Sequence, residues 1–392
     1  MLNSAIHIFE IIFLYYIGFN IAYVSIYIFL SNFYKRTDFS ILKAEKFFKY
    51  AVIIPAYKSD EIIEDTLLHA LNQTYPKQYF DVIIIGDTLK PETEEKINNM
   101  PVIFFPVKFE KSTKAKSLNH ALDLLPEVYD FAVILDVDNI ILTDFLEKIN
   151  LLLQDGRDVV QAHRCAKNLN TSFAVLDAIS EEINNTIFRK GHVACGLSSS
   201  LVGSGKAIRY NYFKKAMANI HSAVEDKELE TALIKDKIFI YYEDHLRVFD
   251  EKVSSAKVFT NQRKRWIASQ FFDFQQVLFD GLVNFIVYNN FDYFDKSLQR
   301  VILPRILILG LSFVFIFTIF IPGFKYGYIF FFMFVLCLAN YLIAIPAYFY
   351  NTKTLKAAIN LPYAFLIMLY ALLKSKGNAK TFNSTPKTFK AS

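Results

Sequence analysis

At 392 residues, 53% hydrophobic and 16% aromatic, the chain is too apolar for an ordinary soluble enzyme of its size. Its net charge of +5, from 43 Lys and Arg against 38 Asp and Glu, gives no argument for a nucleic-acid partner and fits basic residues facing anionic lipid. Three scattered cysteines, Cys165, Cys195 and Cys337, suggest a reducing compartment and neither a disulfide frame nor a metal cluster.

The first predicted element is IIFLYYIGFNIAYVSIYIFL (11–30), a run without charge. Twenty residues at helical rise match the hydrocarbon thickness of a bilayer, so it reads as a transmembrane helix. A secretory signal would be shorter, with Lys or Arg ahead and a small-residue cleavage site behind, and this run has neither flank. Lys35, Arg36, Lys43, Lys46 and Lys49 follow it closely, which puts the middle of the chain on the cytoplasmic side.

From residue 50 the pattern changes. YAVIIPAY (50–57), FDVIIIGD (80–87), PVIFFPV (101–107) and DFAVILDVD (130–138) are short β-rich runs, with helix-like stretches at 61–73 and 114–125. Strands alternating with helices predict an α/β domain whose mostly parallel sheet is covered on both faces. Ligands of such sheets sit at the carboxyl ends of the strands. Three runs end there in polar residues: PAYKSDE, GDTLK and DVDN. Asp136 and Asp138 alternate along an extended chain, so both carboxylates can face one ion, and oxygen donors suit Mg²⁺ or Mn²⁺. Asp87 alone is nearly as well read as a turn residue. No phosphate-cradling glycine loop is present, since GSGKA (203–207) has Ala207 where a Walker motif needs Ser or Thr.

Further on, SAVEDKELETALIKD (222–236) opens a predicted helix with Glu225 and Asp226. Favourable interaction with the helix dipole is the plain reading of that pair. The other acidic pair, in EDH (243–245), lies in a strand-like stretch. NQRKRWIASQ (261–270) carries the only Trp, Trp266. Ile267, Phe271, Phe274, Leu278, Leu282 and Phe285 then recur at spacings of three and four, which predicts an amphipathic helix lying in the membrane interface. His192 and His221 read as ordinary polar contacts. Residues 306–321 and 326–350 are two more expected spans. The stretch 357–373, with Pro362, is better read as re-entrant or interfacial, because a fourth crossing would put the basic tail outside. The predicted organisation is therefore a transmembrane helix (1–34), a cytoplasmic catalytic domain (35–260), an interfacial segment (261–300), transmembrane helices (301–375) and a basic tail (376–392).

Taken in order, the strand-end Asp87, DVDN, VED and QRKRW resemble the family 2 inverting glycosyltransferases of GT-A fold. They are most similar to the processive membrane branch that includes cellulose, hyaluronan and poly-N-acetylglucosamine synthases. The resemblance covers roughly residues 50–270, with Val224, Lys58 and Ser59 departing from the commoner pattern. It implies that Pro55, Ala56, Tyr57 and Asp87 contact the base of a nucleotide-sugar, probed first as a UDP-sugar. It implies that Lys116, Gln262, Arg263 and Arg265 lie near the diphosphate, with Asp136 and Asp138 holding the metal. Gly203, Ser204, Gly205 and Trp266 would face the acceptor, and Asp226, beside Glu225, would be the general base. The product would be a β-linked polysaccharide, the alternative being one sugar added to a lipid-linked acceptor. A scaffold without catalysis would have lost an acid from this set, and none is missing.

Overall fold

The computed structural model describes residues 2–222, 224–271 and 274–374. Helix α1 (Leu2–Ser31) contains the whole first apolar run. The central domain then runs β1 (Tyr50–Tyr57), α2 (Ile63–Leu71), β2 (Phe80–Asp87), α3 (Pro91–Asn98), β3 (Ile103–Val107), α4 (Lys114–Leu124), β4 (Phe131–Ile134), β5 (Ile140–Ile141), α5 (Phe145–Gln154) and β6 (Val159–Ala166). After these come α6 (Ser172–Asn184), a π-helical segment (Asn185–Gly191), the single turn α7 (His192–Ala194), β7 (Lys206–Arg209), α8 (Tyr210–Met217), α9 (Glu225–Lys235) and β8 (Ile240–Asp250).

The eight strands form one sheet in the order β3-β2-β1-β4-β7-β6-β8-β5. Strands β1 to β4 are mutually parallel, β7 is antiparallel to both β4 and β6, and β8 runs parallel to β6 across a bulge at Ala162/His163. This is the mixed, mostly parallel sheet of the expected GT-A class. The cause is visible along β1. Tyr50, Val52 and Ile54 enter one core with Leu67 of α2 and Ile149 of α5, while Ala51 and Ile53 enter a second with Leu118 of α4, Phe213 of α8 and Leu229 of α9. A strand buried on both faces has no polar side to show, hence its continuous apolar sequence. The parallel register aligns Tyr57, Asp87 and Val107 at one edge. Lys58 and Thr88, which follow two of these ends, have φ of 48° and 58°, a left-handed conformation costly for residues with a Cβ.

Beyond the sheet lie α10 (Ala256–Phe271), α11 (Phe274–Tyr288), α12 (Phe291–Leu298), α13 (Arg305–Ile316), α14 (Gly327–Ala344), α15 (Thr352–Ala358) and α16 (Leu361–Leu373). Here the sequence reading needs correction. The apolar stripe expected of the interfacial helix divides between environments. Ile267 on α10 is only 1% exposed, among residues of α1 and α13, whereas Leu282 and Phe285 on α11 are exposed. The stretch 306–321 gives a helix too short to cross a bilayer. The stretch 326–350 stops at Ala344, two residues before Pro346, whose missing N–H cannot continue the ladder. Among the described residues two helices, Ser4–Ser31 and Gly327–Ala344, are long and apolar enough to span, and α15 with α16, bent by 48°, makes a third if counted as one broken span. The side chain of Phe271 and the basic tail lie outside the described residues.

Helix α1 is locked to the central domain. His192 is stacked on Tyr27 at 3.7 Å, and Asp295 accepts from Tyr23 at 2.9 Å and Tyr27 at 2.8 Å while pairing with His192 at 3.0 Å. This buried network is the polar contact that His192 was expected to make. Gly191 ends the π-helical segment directly against the main chain of Tyr27, and a Cβ there would collide with the Tyr27 carbonyl. Gly191→Ala is therefore expected to destabilise the protein by about 2 kcal/mol, since overpacking against backbone cannot relax by a rotamer change. A lowered midpoint of thermal unfolding in detergent checks it.

Candidate active site

The strand ends, the first turn of α9 and the middle of α10 line a single cavity of about 720 Å³. Asp87 ends β2 buried, with Oδ1 accepting from Thr88 Oγ1 at 2.9 Å and Oδ2 left without a partner. Asp136 follows β4 in a turn fixed by Asn139, whose side-chain oxygen accepts from the Asp136 N–H at 2.9 Å. Asp138 is 3% exposed and accepts from the Glu251 N–H at 2.9 Å. Both carboxylates line the cavity, Asp136 the more open and Asp138 anchored to the main chain, and this donor set fits Mg²⁺ or Mn²⁺.

Helix α4 begins under a side-chain cap, Thr113 accepting from the Lys116 N–H at 3.2 Å. That cap points Lys114 at the site. Its ammonium bonds Asp136, donates to the Gly203 carbonyl at 2.6 Å and lies 3.8 Å from Glu225. Burial works against the Lys114 charge, yet Asp136, Glu225 and Asp226 raise it above an ordinary lysine. Glu225 is buried at the start of α9, and burial pushes its carboxyl up to about 7, with Lys114 opposing and Asp226 adding. Asp226, one residue on, lines the cavity and accepts from the Lys227 N–H at 2.9 Å. Behind them, burial and Lys114 press Lys206 down to about 8, and its ammonium has no hydrogen-bond partner.

On the far wall, Arg265 lines the cavity, where burial lowers it and Glu225, Asp226 and Asp136 oppose. Arg263 turns away toward α6, bonds Asp177 and stacks between Phe259 at 4.7 Å and Trp266 at 4.3 Å. Trp266 stays 42% exposed, and Gln262 lines the same cavity.

A family model for the glycosyltransferase-like family 2 matches residues 49–269, more than half of the chain. The chain belongs to that family. It is accordingly a glycosyltransferase, on a GT-A-like domain with two candidate membrane helices flanking it. Among curated protein sequences none matches. The fold is shared with the mannosyltransferase PcManGT from Pyrobaculum calidifontis, solved with GDP-Man and Mn²⁺: 14% identity, TM-score 0.55, 95% of this chain and 99% of that one. S. aureus TarS 1–349 with UDP-GlcNAc aligns at 15% identity and TM-score 0.43, over 84% of this chain and 90% of that one.

Of the residues singled out in the glycosyltransferase sequence, Pro55, Tyr57, Asp87, Asp136, Asp138, Gly203, Glu225, Asp226, Gln262, Arg263, Arg265 and Trp266 line the cavity. Ala56 is packed into the sheet core, and Ser204 and Gly205 are buried beside it, outside the lining. Lys116 is also outside, bonding the Lys111 carbonyl at 2.8 Å on the surface. Lys114, two positions earlier, lines the cavity instead. The 114–116 spacing offered two lysines, and only the capped geometry of α4 distinguishes them. A separate group, His163, Cys165 and Glu182, brings ligand atoms within 4.8 Å of one another. Both ring nitrogens of His163 already face carboxylates, Glu182 and Asp244, each at 3.1 Å. Burial opposes the imidazolium, but Asp244, Cys165 and Glu182 outweigh it, and the group lies outside the cavity lining.

Proposed function

We propose that the protein is an inverting transferase that moves one sugar from a nucleoside-diphosphate donor to a lipid-linked acceptor, with its catalytic domain on the cytoplasmic side. The observation that carries this reading is one cavity lined at one end by Asp136, Glu225, Asp226 and Trp266. At the other it is lined by aliphatic residues of the membrane-proximal helices: Leu303, Ile306 and Leu309 at α13, Ala364 and Met368 on α16. QRKRW argues for the polymerising branch, yet a secreted polysaccharide needs a polar channel walled by many helices. The aliphatic lining and the two or three candidate spans favour a lipid.

Asp136 and Asp138 would hold the Mg²⁺ or Mn²⁺, which when bound neutralises the diphosphate. Pro55, Tyr57 and the unpartnered oxygen of Asp87 meet the nucleotide base, and Lys114 with Arg265 faces the phosphates. Asp226 accepts the proton of the acceptor hydroxyl while its oxygen bonds the anomeric carbon. The bond from that carbon to the diphosphate breaks, the leaving group keeps the electron pair, and the configuration inverts. Trp266 offers the acceptor an apolar face beside this path. After incubation with membranes and radiolabelled UDP- or GDP-sugars, the expected product is an organic-extractable lipid bearing a single sugar. A ladder of long water-soluble chains would restore the polymerising reading and overturn this one.

A further inference from the structure

The two ends of this cavity differ in chemistry, and they meet at residues 296–305, where the chain passes from α12 to α13. Lys296, Arg300 and Arg305 all line the cavity there. Among the described residues none of the three has a carboxylate within the 4 Å of an ion pair. Lys296 reaches the Ser200 hydroxyl at 3.3 Å. Arg305 bonds only neutral groups, the Asn184 side chain and the carbonyl and hydroxyl of Ser180, both at 2.8 Å. The Arg300 guanidinium makes no hydrogen bond or ion pair among the described residues. Of the acids that face Lys296, Glu230, which also faces Arg300, accepts from the Leu201 N–H at 2.8 Å and pairs with Lys227 at 3.2 Å, Asp295 pairs with His192 at 3.0 Å, and Asp292 accepts from the Ser198 N–H at 2.9 Å.

Two more arginines line the same junction. Arg189 pairs with Glu181 and Arg263 with Asp177, but each keeps a buried Nε without a hydrogen-bond partner. Arg305 also lies within repulsive reach of both, with Glu181 opposing. Cations held together away from water raise one another's energy unless an anion joins them. An arginine fork matches a phosphate in shape as well as charge. Past the cations the lining is aliphatic, which suits a hydrocarbon chain and not a nucleotide or a glycan.

We propose that this junction binds the phosphate head group of the acceptor lipid, with its aliphatic chain between α13 and α16 and its nucleophilic oxygen toward Asp226. The inference rests on the transferase reading, whose acceptor it specifies. The bonds made and broken in transfer are those already given. The phosphate takes no part in them; it is gripped, and so fixes how far the acceptor enters.

Trp266, the only Trp of the chain, lines the cavity and reports on its contents. Full-length protein in detergent would be titrated with hexadecyl phosphate brominated on the tail carbons nearest the phosphate, bromine being a contact quencher of indole fluorescence. Saturable quenching is expected, with at least ten-fold weaker apparent affinity for the brominated alcohol that lacks the phosphate. Arg300→Gln removes no hydrogen bond or ion pair among the described residues, so it should fold, and it is expected to weaken binding about ten-fold; Arg305→Gln should do the same. Equal affinity for phosphate and alcohol, quenching that never saturates, or an unaffected Arg300→Gln variant overturns the proposal. Displacement of the probe by equimolar inorganic phosphate would also overturn it, because the site would then be one for free phosphate. Metal-dependent release of nucleoside diphosphate from the donor, measured on the same preparation, stands or falls with the transferase reading independently of the quenching result.

Discussion

Asp226→Asn is expected to lower sugar transfer by about 10³-fold, with the Michaelis constant for the donor nearly unchanged. Two roles are open to Asp226 at the start of α9, and their magnitudes separate them. A carboxylate in a first helical turn stabilises the helix by roughly 0.3–1 kcal/mol, which Asn would only partly forfeit. Loss of that interaction alone leaves the folded fraction close to one in a protein stable by several kcal/mol. Loss of a general base removes about 10² to 10⁴ from the rate. Asn keeps the shape and accepts the same Lys227 N–H, so the substitution isolates the proton-accepting function. Glu225 lines the cavity too, 3.8 Å from the Lys114 ammonium and with its carboxyl pushed up to about 7, so activity kept in Asp226→Asn would point to it as the base. Initial rates of transfer together with the unfolding midpoint decide the matter. A variant that transfers at the wild-type rate would falsify the base assignment and leave Asp226 with its helix-dipole role.

What could be read from the chain follows from how local each determinant is. Strands β1 and β2 match YAVIIPAY and FDVIIIGD residue for residue, because a parallel strand covered on both faces leaves an unbroken apolar signature between polar ends. Asp87, Asp136 and Asp226 were legible for a related reason: each sits where a regular element starts or stops. Side-chain direction was not. Ser204 and Gly205 belong to a loop whose carbonyls hold the Gln161 side chain at 3.1 and 3.0 Å, so they shape the wall from behind while Gly203 meets Lys114. Arg263 lies in the same short motif as Arg265, yet its carboxylate partner, Asp177, is 86 residues away, and that pairing turns it toward α6. Arg189, Arg300 and Arg305 carried no signal at all. Their meeting depends on α13 packing against α6 and α1, a contact that no periodicity within one segment encodes.

Asp136→Asn is expected to cut transfer by about 10² to 10³-fold and to raise the Mn²⁺ concentration needed for half-maximal rate at least ten-fold. The reasoning turns on how unlike the two acids of DVDN are. Asp138 is buried and spends an oxygen on the Glu251 N–H, so it has little freedom to move toward an ion. Asp136 is the one a third exposed to the cavity, and its present cation is the Lys114 ammonium. Asn at 136 retains one neutral oxygen and loses the charge, so it weakens a hard divalent ion far more than it weakens a hydrogen bond to Lys114. The loss of electrostatic stabilisation at a leaving diphosphate is of the size seen when one preorganised charge or donor is removed from an active site. The alternative is that Asp136 serves only to hold Lys114 against the Gly203 carbonyl. Then Lys114→Met would mimic Asp136→Asn in rate, and neither variant would shift the Mn²⁺ response. Rate against Mn²⁺ concentration for both variants separates the two, because only a ligand that has lost its charge moves the midpoint of that curve.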